Sequence, residues 1–195
     1  ILGKNLIIDD KFKSKAEVLL VWHQKIDKNY IKKFKNLKYV IRYGTGYDDI
    51  DLKFLNNKKI LFNNNPEYGT YEVSNTSLAM IMNISRSINI YNEISKFSNK
   101  PVWQDNYINE VKAIRNTKVG VIGAGRIGST LINKLNYIGF KTQFYDPFKD
   151  YGYEKIINSY RTSSIEELLS TTDIISINCD LNKDTFGLVD KKFIS

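Results

Sequence analysis

The sequence predicts an α/β protein made of two successive domains, each built on a parallel, helix-covered sheet. Three observations predict it. Short apolar runs alternate with helical periodicity through residues 6–63. A long and mostly apolar helical stretch follows. Residues 118–146, KVGVIGAGRIGSTLINKLNYIGFKTQFYD, then set a glycine-rich turn between a strand and a helix. Strand–helix alternation of this kind implies crossover connections and parallel pairing.

Residues 6–9 read as a short strand and 16–22 (AEVLLVW) as a stronger one. Asp27 is placed to N-cap a helix running through Ile31 and Phe34. A third strand, 39–42, runs into Gly44-Thr45-Gly46. Asp49-Ile50-Asp51 opens a short helix through Leu52 and Leu55, and 60–63 is a fourth strand. Residues 63–70 (NNNPEYGT) form a loop by composition. Thr70 can N-cap the next helix, and Glu72 falls in its first turn, where a carboxylate suits the helix dipole. This helix is expected to span 71–92. Its apolar residues lie nearly all round from 73 to 90, which predicts burial between domains or between subunits. Met80 and Met82 read as core filler, and 98–116 as a crossing linker.

In the central stretch, 118–122 suits a buried parallel strand. Gly123-Ala124-Gly125-Arg126-Ile127-Gly128 matches G-x-G-x-x-G. Gly123 permits the tight turn, Gly125 lets backbone approach a diphosphate, and Gly128 lets the helix pack on the sheet. The helix N-terminus offers N–H groups and the positive end of its dipole to phosphate. Ile127, Leu131, Leu135 and Ile138 recur at helical spacing, and Gly139 stands where a C-cap glycine belongs. A second strand, 141–145, ends at Asp146, roughly 20 residues beyond the last glycine, where an acid accepts from the adenosine ribose hydroxyls. A carboxylate there repels a 2′-phosphate, so the expected cofactor is NAD rather than NADP. Ser164-Ile165-Glu166-Glu167 fits a capping box opening a helix. Residues 174–178 read as a third strand, giving βαβαβ over 118–178, and 190–195 begin another helix. With strand order 3-2-1-4-5-6, the strand 118–122 is then expected at an open edge, a cause of self-association.

Composition narrows the class. The chain has 195 residues, 42% apolar and 26% charged, ordinary for a soluble globular protein. No apolar run approaches the roughly 18 residues of a membrane span, and the charged first residues do not suit a signal peptide. One cysteine, Cys179, leaves no internal disulfide and fits a reducing, cytoplasmic setting. The formal charge of +8 raises the question of nucleic acid. Its densest run, Lys32, Lys33, Lys35 and Lys38, reads instead as a solvated helix face, so no nucleic-acid partner is expected. No metal site is expected either.

Four separated segments together resemble the D-isomer-specific 2-hydroxyacid dehydrogenases. They are 42–51 (RYGTGYDDID), 65–73 (NPEYGTYEV), the glycine fingerprint with Tyr145-Asp146-Pro147, and 178–185 (NCDLNKDT). Residues 22–26 and 33–51 resemble in particular the branch containing the C-terminal-binding proteins, NAD-binding corepressors. The resemblance implies a flavodoxin-like portion of a substrate domain, 1–98, followed by the first half of a Rossmann NAD-binding domain, 99–195. It implies a small 2-hydroxy or 2-oxo acid as substrate, NAD as cofactor, and a homodimer built partly on 73–90. Position by position, Thr45 and Gly46 would offer N–H groups to the substrate carboxylate, with Thr45 also reaching the cofactor. Arg42 would lie near that carboxylate, and His23 at the mouth of the cleft. Gly123, Gly125 and Gly128 would carry the diphosphate, Arg126 and Ile127 would lie along it, and Asp146 would hold the ribose. Cys179, Asp180 and Thr185 would line the cofactor, with Asp180 standing where the family has proline.

The residues by themselves leave His23 open to a surface role, Arg42 to an ordinary salt bridge and Cys179 to small-residue packing. Nothing electropositive marks Cys179 as a nucleophile. In the family the catalytic Arg, acid and His lie downstream of the segment matching 185–195, so none is expected within this chain. Ile1 also stands where an initiating Met is expected. The sequence therefore reads as an inactive fragment of an NAD-dependent oxidoreductase acting on a D-2-hydroxy acid. The alternative is a catalytically inactive NAD-sensing module of corepressor type.

Overall fold

The computed structural model describes residues 13–97 and 111–194. The expected strand at 6–9 and most of the linker at 98–116 lie outside the described residues. The chain divides into two compact units, Ile1–Gly69 and Thr70–Ser195.

The first unit carries strands β1 (Val18–Val21), β2 (Tyr39–Arg42) and β3 (Leu61–Asn63), parallel in the order β1-β2-β3. Helices α1 (Lys28–Ile31) and α2 (Leu52–Asn57) make the crossovers. Both start as the sequence predicts. The Asp27 carboxylate accepts the Tyr30 N–H at 2.8 Å, and that of Asp51 accepts the Phe54 N–H at 2.9 Å. Leu19, Val21 and Val40 meet Ile31, Phe34 and Leu55 in one buried cluster. Ile26 pins the loops at the carboxyl ends of the strands. It bridges to Ile50, its N–H donates to the Asp49 carbonyl and its carbonyl accepts from the Asp51 N–H.

The second unit opens with α3 (Thr70–Ser85) and α4 (Ile88–Phe97). One continuous helix over 71–92 was expected. The helix breaks because Ser87 adopts φ 51°, the left-handed region, and the Asn83 side chain accepts the Asn89 N–H at 3.1 Å. Nor is the helix buried all round. Ser74 and Ile81 are buried, whereas Val73, Met80 and Ile84 are exposed on one stripe.

The fingerprint elements follow: β4 (Lys118–Ile122), α5 (Arg126–Ile138) and β5 (Lys141–Tyr145). Gly139, at φ 100°, ends α5 with its N–H on the Leu135 and Asn136 carbonyls. Leu131, Ile132 and Leu135 of α5 pack with Val119, Val121 and Phe144 as the core. Lys134 of α5 reaches the Ser74 hydroxyl at 2.7 Å and the Tyr71 carbonyl at 3.3 Å, fixing α3 to α5. The compact units therefore part ahead of α3 rather than after residue 98.

Beyond β5 come α6 (Tyr153–Ile156), β6 (Tyr160–Arg161), α7 (Ile165–Thr171), β7 (Ile174–Ile177) and α8 (Lys191–Ile194). The parallel sheet runs β6-β5-β4-β7. This corrects the expectation of an open edge at 118–122. β4 is internal, and β6 and β7 are the edges. The two-residue strand β6 takes the third place, and β7 crosses to the other side of β4 as the fourth. The capping box of α7 forms with a shift: Ser164 accepts the Glu167 N–H at 3.1 Å, while Glu167 accepts the Ser163 N–H at 2.7 Å. At the amino ends of the strands, Asp173 takes the Lys118 N–H at 2.8 Å and the Lys112 ammonium at 2.5 Å.

Candidate functional site

The reversal of strand order between β4 and β7 is a topological switch point, and a crevice opens there at the strands' carboxyl ends. Its volume is about 300 Å³. Gly123 and Gly125 from the β4–α5 turn, Asp146 after β5, and Cys179, Asp180 and Thr185 after β7 all line it. Six of the residues singled out in the sequence thus meet in one place.

The three glycines do different work. Gly123 sits at φ 86°, and a Cβ on it would meet the Cys179 backbone nitrogen at 2.7 Å. A Cβ on Gly128 would run into the Gly123 carbonyl oxygen. Those two glycines are demanded by the protein itself. A Cβ on Gly125 would meet nothing within 4 Å, so the space beside it is open to a ligand. Gly125 is also the N-cap of α5 and brings no side-chain acceptor. The first-turn N–H groups of a helix have no acceptor within it, so this end of α5 suits an anion. Arg126, Ile127 and Gly128 form that first turn and stand outside the crevice lining.

Asp146 is aimed at the same turn. Its Oδ2 accepts the Ala124 N–H at 2.9 Å and its Oδ1 the Phe148 N–H at 3.0 Å. Each oxygen retains a lone pair for a hydroxyl donor. The Tyr153 hydroxyl donates to the Ala124 carbonyl at 3.2 Å, so the turn is held from both sides. Open space at Gly125, a helix end without a side-chain cap and a fixed carboxylate fit a dinucleotide.

Burial pushes the Cys179 thiol above its ordinary range, and the neighbouring Asp180 and Asp146 carboxylates push the same way. This setting disfavours its thiolate, the form that acts as a nucleophile. Thr185 lines the crevice, yet its hydroxyl donates to the Asp180 carbonyl at 2.5 Å and accepts the Asn182 N–H at 2.8 Å, so it shapes the loop. Phe148, Ile165 and Leu188 add apolar walls that are not expected from the sequence. Phe148, which follows Asp146-Pro147, was within reach of the motif; Ile165 and Leu188 arrive only through the fold.

The substrate-side residues lie in the first unit. Arg42 ends β2, and its guanidinium lies over Gly44, whose added Cβ would meet Nε at 3.4 Å. Its Nε and Nη1 are shut off from solvent and have no hydrogen-bond partner among the described residues. The ordinary salt bridge is therefore not what this structure shows. Thr45 is tied on both sides: its hydroxyl donates to the Asn65 carbonyl at 3.2 Å, and its carbonyl accepts from the Asn64 side chain at 2.7 Å. Gly46 is exposed beside it. His23 stacks edge-on against Trp22 at 4.9 Å and lines a separate cavity of about 480 Å³ with Lys25, Tyr30 and Tyr43. Arg42, Thr45 and Gly46 do not line that cavity, so His23 is not brought together with them. Among the described residues, no helix is long and apolar enough to cross a membrane, and no cluster of His, Cys, Asp and Glu could hold a metal.

Comparison with known proteins agrees with this geometry. Residues 78–195 match the model of the D-isomer specific 2-hydroxyacid dehydrogenase, NAD binding domain. The chain is 29% identical to C-terminal-binding protein 1 of Caenorhabditis elegans, over 93% of this chain and 26% of that protein. It is 28% identical to a hydroxypyruvate reductase of Blautia hydrogenotrophica, over 92% of this chain and 56% of that protein. Among solved structures, D-lactate dehydrogenase from Aquifex aeolicus, complexed with NAD and lactic acid, superposes with a TM-score of 0.81 at 27% identity, covering 96% of this chain and 55% of that one. The chain thus spans about half the length of the two dehydrogenases. With the fingerprint, the switch-point crevice and the matched domain in agreement, the chain belongs to the D-isomer-specific 2-hydroxyacid dehydrogenase family and carries its NAD-binding domain.

Proposed function

We propose that this chain is the cofactor-holding part, with a portion of the substrate domain, of an NAD-dependent oxidoreductase acting on a D-2-hydroxy acid or the corresponding 2-oxo acid. The observation that carries it is the crevice shared by Gly125 and Asp146, with open space at the glycine and a carboxylate fixed by two N–H groups. In functional terms, 1–98 serve the substrate and 99–195 the cofactor.

The first turn of α5, with Gly123, Gly125, Arg126, Ile127 and Gly128, faces the diphosphate, and Asp146 accepts from the ribose hydroxyls. Cys179, Asp180 and Thr185 wall the crevice after β7. When bound, NAD supplies the hydride acceptor or donor. Arg42 receives the substrate carboxylate, which brings an acceptor to a guanidinium whose Nε and Nη1 have none among the described residues. Thr45 and Gly46 add backbone donors. His23 guards the approach from its aromatic cavity. No residue of this chain is assigned the proton or hydride step.

Calorimetric titration tests the reading. NAD binds the chain, NADP binds at least about tenfold more weakly, and Asp146→Ala removes that preference. A chain that takes up neither nucleotide defeats the proposal. The crevice serves an NAD-sensing module equally well; turnover of a 2-oxo acid by the whole parent protein separates the two. The exposed stripe Val73, Met80 and Ile84 on α3 suits a homodimer, and sedimentation of Met80→Glu as a monomer beside a dimeric parent supports it. A cytoplasmic location rests on the lone Cys179.

A further inference from the structure

The wall of the crevice after β5 is a short loop, 147–152, and its Pro147 and Phe148 line the site. Phe148 is 85% exposed, so side-chain burial does not hold this loop in place. Polar contacts do, and two of them come from Arg161 at the end of β6. Its Nη1 donates to the Lys149 carbonyl at 2.8 Å and its Nη2 to the Asp150 carbonyl at 2.5 Å. Its Nε donates to Glu154 Oε2 at 3.2 Å, while Glu154 Oε1 accepts the Gly152 N–H at 2.9 Å. The guanidinium plane lies against Phe144 at 5.3 Å and Tyr151 at 5.6 Å. One side chain thus grips the far end of the loop through two carbonyls and, by way of Glu154, through Gly152. At the near end the Phe148 N–H is held by Asp146 Oδ1.

We infer that Arg161 is a positioning residue for the nucleotide: by clamping loop 147–152 it fixes the Phe148 N–H against Asp146 and so sets the aim of the carboxylate that reads the ribose. This rests on the crevice being the NAD site. Charge-assisted bonds from a planar fork to two successive carbonyls are a geometry that a lysine cannot reproduce. A pre-set wall lowers the ordering cost of binding. With the clamp gone, the loop samples other positions, and the Asp146 carboxylate loses one of the two N–H groups that orient it.

The test uses the full 195-residue chain with NAD and NADP as probes, read by calorimetry, and amide exchange without nucleotide. Arg161→Met is expected to bind NAD about tenfold more weakly and to lose most of the preference for NAD over NADP. Phe148 and Gly152 amides should exchange faster, while those of α5 stay protected. Arg161→Lys keeps the charge over Phe144 and one hydrogen bond, and recovers part of the affinity and of the preference. An unchanged NAD-to-NADP ratio together with unchanged exchange at Phe148 overturns the inference. If Arg161→Met does not fold, the same two readings on Arg161→Lys decide it. Gly125→Val separates the premises: if it binds NAD like the parent chain, the crevice assignment itself is wrong.

Discussion

Asp146 and Arg42 each stand at the carboxyl end of a parallel sheet, and their surroundings treat them oppositely. Asp146 has both oxygens engaged by backbone N–H groups of its own unit. Arg42 holds Nε and Nη1 away from water with no acceptor among the described residues. The difference follows from what a parallel sheet has to spare. Turns at the carboxyl ends present free N–H groups, which suit a carboxylate. Carbonyls inside the ladder are already used, so a guanidinium beside them must find its acceptors elsewhere. The second unit therefore carries a site shaped in advance, and the first carries half of an interaction.

The largest expected effect separates the glycines. Gly128→Val forces a side chain into the Gly123 carbonyl, and should cost the second unit about 3 kcal/mol, the upper range for overpacking. Gly125→Val meets no protein atom and should leave the melting temperature unchanged while abolishing NAD binding. Equal melting of the two variants would break the contrast between a glycine the fold needs and one the ligand needs.

Arg42→Met comes next, with the opposite sign. Removing a cation with orphaned donors should raise stability in denaturant unfolding by about 1 kcal/mol. Asp146→Ala, which strips acceptors from two N–H groups, should lower it. If Arg42→Met proves as destabilising as Asp146→Ala, the first unit satisfies its arginine after all.

The smallest effect concerns acid. Hydrogen bonds from the Lys112 ammonium and the Lys118 N–H hold the Asp173 carboxyl below its ordinary 3.8. A group depressed by folding lends stability above its unfolded value and loses it as the pH falls through the folded one. The stability gap between the parent chain and Asp173→Asn should be flat from neutral pH to about 5 and close below about 4. A gap that persists at the lowest pH would sever Asp173 from that dependence.

Much of the second unit was legible because its signals are local. The run 118–122, the glycine turn after it and Gly139 act through backbone conformation within a few residues, and these elements stand where the sequence put them. β6 was missed because two residues, Tyr160 and Arg161, make no apolar run; only their pairing with Gln143 and Phe144 makes them a strand. That omission moved β4 from the centre of the sheet to its edge. The break between α3 and α4 was hidden too, since it rests on Ser87 rather than a glycine or proline. On the substrate side, sequence likeness grouped His23 with Arg42, but His23 lines a cavity that Arg42 does not.

By itself the sequence determined the family, the parallel α/β class, the caps at Asp27 and Ser164, and a turn able to approach a diphosphate. These depend on backbone geometry and periodicity that residue types impose at short range. Only the tertiary structure decided that β7 returns beside β4, that Asp146 locks onto Ala124 and that Arg161 clamps the wall. Each is a meeting of groups distant in sequence, settled by which hydrogen-bond partners remain after the core has packed.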